Sequence, residues 1–101
     1  MLIIPGLVFS GTCEEALKFY KHCFGGEISY LERYKDAPVE SNAVYGEKIL
    51  HAKYEFEGNT LFASDSFENR PVKTGENISL TLEFDSRDQL FDVYEKISAG
   101  A

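Results

Sequence analysis

Four polar side chains sit at alternate positions of two neighbouring segments, His51, Lys53 and Glu55 in one and Ser64 in the next. A period of two places such residues on one side of a β-strand. They offer a group that titrates near neutral pH, a cation, a carboxylate and a hydroxyl, which together suffice to orient a small polar ligand. His51 is the general-base candidate of the set. The competing reading is a solvated sheet surface on which Lys and Glu pair weakly, the more frequent situation for a strand histidine without a partner.

Other groups carry weaker signals. Asp65 and Glu83 become ligands or acid–base groups only if two strand ends converge, and acids at such ends more often cap or form turns. His22 lies late in a helix, where a cation meets the negative helix end. Cys13 and Cys23 are ten positions apart on that same helix, roughly 15 Å at 1.5 Å per residue, too far to bridge. Both read as small core residues in a reducing, cytoplasmic setting. Tyr30, Tyr34, Tyr45 and Tyr54 suit a pocket for an aromatic molecule or, more commonly, core packing.

The elements that must position these groups follow from periodicity. Leu2–Phe9 is apolar and β-branched, a first strand in which Pro5 removes one ladder donor. Thr12 and Glu15 have capping-box spacing. A helix follows, with Cys13, Ala16, Leu17, Tyr20, Cys23 and Phe24 as its apolar stripe and Gly25–Gly26 as its stop. Glu27–Tyr34 reads as a second strand, Lys35–Gly46 as a long loop and Lys48–Glu57 as the clearest strand of all. Its alternation sends Leu50, Ala52, Tyr54 and Phe56 to the core and Ile49, His51, Lys53 and Glu55 to the polar side. Glu57-Gly58-Asn59-Thr60 is a turn signal that folds Thr60–Asp65 back as a hairpin, with Glu57 expected opposite Thr60 and Tyr54 opposite Ala63. Residues 67–76 form a linker. Ile78–Phe84 alternates again as a half-buried strand, and Ser86 and Gln89 offer a second capping box for a helix with Leu90, Phe91, Tyr94 and Ile97 on its apolar stripe.

The bulk numbers bound the function. The chain has 101 residues, 44% hydrophobic, with eight Phe and six Tyr, enough to bury a core as one domain. A formal net charge of −7 repels phosphate backbones and anionic lipids, so neither nucleic acid nor a membrane surface is expected as a partner. The apolar opening is broken by Pro5 and Gly6 well short of the ~20 residues a membrane span needs.

The segments Pro5-Gly6-Leu7-Val8-Phe9, Glu14-Glu15-Ala16-Leu17-Lys18-Phe19-Tyr20-Lys21, Phe24-Gly25-Gly26-Glu27-Ile28 and Lys48-Ile49-Leu50-His51-Ala52 resemble the PhnB-like branch of the vicinal-oxygen-chelate superfamily, the glyoxalase, bleomycin-resistance and dioxygenase fold. The likeness implies an α+β chain: a βαβββ module over 1–66, a linker over 67–76 and an incomplete second module (βα) over 77–101. It also implies a mixed curved sheet with helices on the outer face and His51 on the concave one. Members run on through three further strands, so a shortened second module is expected here. In metal-dependent members the ligands come from matching strands of both modules. This chain offers Asp65, Asn77 and Glu83 at those places, a poor set for a catalytic ion that wants about three converging ligands, and no metal or cofactor is expected. Some relatives carry a demethylubiquinone methyltransferase name, but the chain has no glycine-rich nucleotide loop.

Two functions follow as expectations. One is a small-molecule-binding protein, with or without catalysis, holding its ligand through His51, Lys53, Glu55 and Ser64. The other is a non-catalytic interaction module completed by a partner chain. A homodimer formed through sheet edges or strand exchange is compatible with both, because an unpaired edge recruits a partner.

Overall fold

The computed structural model describes residues 1–37 and 44–100. The central part of the long loop expected at Lys35–Gly46 lies outside them; its two flanks each form a single 3-10 turn, Tyr34–Asp36 and Tyr45–Glu47. The elements run β1 (Gly6–Phe9), α1 (Cys13–Phe24), β2 (Glu27–Arg33), β3 (Ile49–Phe56), β4 (Asn59–Asp65) and α2 (Arg87–Gly100). The strands form one curved sheet in the order β1-β4-β3-β2. β1 runs parallel to β4, and the other neighbours are antiparallel.

One side of this sheet is covered. From α1, Cys13 and Leu17 pack against Ile49, Ala52, Tyr54 and Ala63, with Phe9, Tyr20, Phe24, Ile28, Leu31, Phe56 and Leu61 around them. Burying a side chain the size of Leu17 or Ile49 stabilises the fold by roughly 1.5–3 kcal/mol. The Tyr54 ring stacks on Phe56 at 4.8 Å, and Phe56 stacks on Phe24 at 5.1 Å. The Tyr54 hydroxyl donates to the carbonyls of Gly25 at 2.6 Å and Tyr20 at 3.1 Å. Burial pushes that phenol up to about 12, because the charged form would lose its hydration.

The glycine stop after α1 is present. Gly25 donates its N–H to the Lys21 carbonyl at 2.9 Å. Gly26 has φ +77°, and a Cβ there would run into the Glu55 carbonyl and stand 2.6 Å from the Phe56 Cβ. The expected cap at the other end is not made by Thr12, whose side chain forms no cap hydrogen bond. Asp65 reaches across from the end of β4 and takes the N–H of Cys13 instead, at 3.0 Å.

Four expectations about strands change. The first strand begins at Gly6, and Leu2 and Ile3 stay exposed; Pro5 contributes only its carbonyl, which accepts from Phe62. The hairpin pairs Phe56 with Asn59 and Tyr54 with Leu61, two residues away from the expected register. The turn residues are Glu57 and Gly58, both at positive φ (47° and 78°), the pair of angles a type I′ turn requires. A slip of two preserves the parity of every side chain, so both faces stay as read. Ile49 does change face. The β2–β3 register shifts between Glu32 and Arg33, leaving Leu50 as an extra residue, and this bulge turns Ile49 into the core.

The largest difference lies at Ile78–Phe84, where no strand forms and Ile78, Leu80 and Leu82 are exposed at 83%, 57% and 46%. α2 does form. The Ser86 hydroxyl accepts the Gln89 N–H at 3.1 Å, one half of the expected capping box, and Val93 is the buried residue of the helix.

Candidate functional site

The strand alternation that sends Ala52, Tyr54 and Ala63 beneath α1 sends His51, Lys53, Glu55, Phe62 and Ser64 to the opposite, open side of the sheet. All four sequence-derived ligand candidates therefore share one face. His51 is half-buried, with its ring 5.0 Å from that of Phe62 on β4 and 5.9 Å from that of Tyr30 on β2. Three rings from three adjacent strands thus form a row across the middle of the sheet. Tilted aromatic contacts at these separations are favourable, and they hold the imidazole in place with no acid hydrogen-bonded to it among the described residues.

Lys53 stands opposite both Tyr30 and Phe62 in the ladder. Its ammonium lies 3.7 Å from the Glu55 carboxylate, and both side chains are about two-fifths exposed. A pair so long and so wet contributes little to stability, which leaves the ammonium free to exchange Glu55 for an anionic ligand group. Ser64 is paired with Val8 of β1, so it borders the row from the far side. Gly6 beside Phe62 adds no side chain, and Val8 and Tyr30 are each about half exposed. Chemically the face provides ring surface for a planar or apolar group, one cation, one carboxylate and a hydroxyl.

Asp65 plays a different part. It is 2% exposed, and its Oδ1 accepts from the N–H groups of Gly11 at 2.9 Å and Cys13 at 3.0 Å. Its Oδ2 accepts from the Ile49 N–H at 2.9 Å. One carboxylate thus ties the start of α1, the end of β4 and the start of β3 together. Buried and committed to three backbone donors, the carboxylate serves as a structural clasp. Glu83 lies exposed in the unpaired segment, so the two acids do not build a joint site. Among the described residues no three His, Cys, Asp or Glu side chains converge in a way that could hold a metal ion.

Around the Asp65 clasp the tyrosines divide. Tyr34 is buried and donates its hydroxyl to the Asp65 carbonyl at 2.7 Å, and Tyr45 donates to the Ser66 carbonyl. With Tyr54 in the core, Tyr30 is the one of the four that reaches the open face. The Cys13 thiol is pushed up to about 12 by burial and then by the carboxylates of Asp65, Glu14 and Glu15, which leaves it unreactive. Burial likewise raises Cys23. Sequence reasoning missed one pair altogether: Arg33 grips Glu14 through two hydrogen bonds, at 2.7 and 3.1 Å, and donates to the Glu47 carbonyl at 2.6 Å. No periodic signal marks a pair 19 residues apart on a helix and a strand.

A curved four-stranded sheet covered by helix on one side and open on the other, with ring and polar groups together on the open side, defines a mixed α+β fold. A family model described as 3-demethylubiquinone-9 3-methyltransferase matches residues 1–101, and the chain belongs to that family. Among solved structures it is similar to protein PA1353 from Pseudomonas aeruginosa, with a TM-score of 0.87 and 27% identity over 99% of this chain and 74% of that one. It is also similar to a putative 3-demethylubiquinone-9 3-methyltransferase, PhnB protein, from Bacillus cereus, with a TM-score of 0.75 and 25% identity over 97% and 74% of the two chains. No curated protein matches it. Both likenesses support the mixed α+β fold with a curved sheet that the PhnB-like resemblance implies. Among the described residues, no helix is long and apolar enough to cross a membrane.

Proposed function

We propose that the protein binds a small molecule on the open face of its sheet, in the manner of the PhnB-like branch of the vicinal-oxygen-chelate superfamily. In this reading His51, Lys53, Glu55 and Ser64 supply the polar contacts, and no resident metal takes part. The observation that carries it is the uncovered ring row of Tyr30, His51 and Phe62 beside a loosely paired lysine. Aromatic rings left at the centre of a sheet face, next to a few convergent polar groups, form the usual composition of a small-molecule site.

The description of the family names a methyl transfer to a demethylubiquinone. With no glycine-rich nucleotide loop in the chain, this reading takes from that description a quinone as the ligand and no bound methyl donor. The ring row offers stacking surface to the quinone head, and Lys53 offers a charge-assisted hydrogen bond to a carbonyl or phenolate oxygen.

The test is thermal denaturation in the presence of quinones, glutathione adducts and divalent cations, with the same series on His51→Ala and Phe62→Ala. A ligand at 100 times its Kd raises stability by about 2.7 kcal/mol. A quinone-dependent rise that both substitutions abolish is the expected result. No rise with any compound, or a rise that survives both substitutions, overturns the reading.

A further inference from the structure

The geometry points to acyl transfer on the open face, with Ser64 as nucleophile, His51 as its base and Glu32 as the residue that positions that base, acting on an aryl ester. This rests on the open face being the ligand site, as proposed above, and adds to it a reaction and a residue. Glu32 is the new element. The β2–β3 ladder pairs Leu31 with Ala52 and Glu32 with His51. Leu31 and Ala52 belong to the core beneath α1, so the next pair along, Glu32 and His51, stands on the open side. On the other flank Ala52 pairs with Ala63, and the same antiparallel register sets Ser64 opposite His51. Three adjacent strands therefore present a carboxylate, an imidazole and a hydroxyl in one line, in the order acid, base, nucleophile. Side chains directly opposite on an antiparallel pair have Cβ atoms about 5 Å apart, a spacing that Glu and Ser bridge toward an imidazole between them. The same three roles serve acyl transfer on unrelated folds, where geometry rather than chain order defines them.

None of the three is committed elsewhere. All are half-buried, and among the described residues no side-chain hydrogen bond or ion pair engages Glu32, His51 or Ser64, in contrast to Asp65 with its three backbone donors. Hydrogen bonds of this kind are often long until substrate seats, and tighten in the complex. One ladder step away, Tyr30 and Phe62 flank Lys53 on either side, so an aryl group resting on the rings brings its ester carbonyl beside the ammonium. Lys53 is only loosely held by Glu55 and is placed to meet a developing oxyanion. In the first step the Ser64 Oγ bonds to the carbonyl carbon while its proton passes to His51, and the carbonyl oxygen becomes the oxyanion. Collapse then breaks the bond to the leaving phenolate, which takes the proton from His51. Water, deprotonated by His51, releases the acid from the acyl-serine, and the proton returns to Oγ. Glu32 touches no reacting atom; it holds the imidazole and stabilises its charged form.

The test begins on the unmodified full chain with an aryl fluorophosphonate, which a nucleophilic serine attacks at phosphorus with loss of fluoride. Peptide mass spectrometry is expected to place the adduct on Ser64; no adduct, or one on another residue, overturns the inference. Hydrolysis of 4-nitrophenyl butyrate is then followed by release of 4-nitrophenolate. Ser64→Ala abolishes the initial burst, and His51→Ala lowers kcat by about 100-fold or more. Glu32→Gln lowers kcat by on the order of 100-fold with KM unchanged, and Glu32→Asp recovers part of the loss, a rescue that a merely structural role would not show. A burst that survives Ser64→Ala, or a kcat indifferent to Glu32→Gln, also overturns it. Thermal unfolding of each variant separates loss of chemistry from loss of fold, and the labelling result on the unmodified chain stands whether or not a variant folds. Absence of the Ser64 adduct together with a quinone-dependent thermal rise sinks acyl transfer and leaves the binding function standing. A Ser64 adduct without any quinone response does the reverse.

Discussion

Two stretches of this molecule begin with the same sequence pattern and end differently. Gly6–Phe24 and Ile78–Gly100 are both an alternating apolar run followed by a capped, amphipathic helix. In the first, β1 is laddered to β4 and α1 is sealed onto the sheet, with Cys13 and Leu17 fully buried. In the second, the helix forms while the strand does not, and Ile78 remains 83% exposed. A helix satisfies its backbone hydrogen bonds within itself, so a cap and a stripe are enough to start one. A strand satisfies nothing without a neighbour.

The comparison can be broken by removing what seals the first region. Asp65→Ala leaves the buried N–H groups of Gly11, Cys13 and Ile49 without an acceptor. A destabilisation on the order of 4 kcal/mol is expected in urea unfolding. That is a large share of the 5–15 kcal/mol typical of a domain, and the first region then behaves like the second. Gly26→Ala adds a Cβ at φ +77° against backbone that cannot move aside. It costs about 2–3 kcal/mol, visible in the same experiment.

Tyr54→Phe deprives two backbone carbonyls of their donor at a cost of about 1–2 kcal/mol. Its pH signature sharpens the point. An acid whose folded pKa is raised stabilises the fold below its unfolded value and loses that contribution as pH climbs through the folded one. Alkaline unfolding of the unmodified protein, followed by tyrosinate absorbance, therefore sets in between the ordinary tyrosine range and about 12, and the substitution weakens this dependence. The Glu14–Arg33 pair has the opposite sign. The hydrogen bonds from Arg33 hold the Glu14 carboxyl below the ordinary glutamate value, so its contribution is present above that value and fades as pH falls through the lowered one. Glu14→Gln flattens the acid limb of a stability-against-pH curve, with an effect under about 1 kcal/mol at neutral pH because the pair is partly solvated. The smallest effect belongs to the second region: Ile78→Ser, measured in dilute solution below any self-association, changes stability by less than about 0.5 kcal/mol.

Much of the candidate site was legible. The period of two over His51, Lys53 and Glu55, with Ser64 in the returning strand, placed all four on the side of the sheet away from α1. The hairpin slip moved partners by two residues without turning any of them over. Tyr30 and Phe62, which make the ring row with His51, were visible as residues but not as neighbours. Their contact depends on the β2–β3 register, which carries a bulge at Ser29 as well as at Leu50, and bulges leave no regular trace in sequence. Asp65 was read as a strand-end acid of capping type, which it is. That it caps a helix 52 positions away, in place of Thr12, was not readable.

By itself the sequence determined the local decisions: where each helix starts and stops, which strand residues share a side, and that Gly25 and Gly26 end α1. These rest on steric and hydrogen-bonding preferences acting within a few residues. Only the tertiary structure decided which alternating runs became strands, which carboxylate capped α1 and which rings met across the open face. Each of those outcomes requires a second segment, distant along the chain, to arrive at hydrogen-bonding or van der Waals distance, and the free energy comes from that meeting rather than from either partner alone.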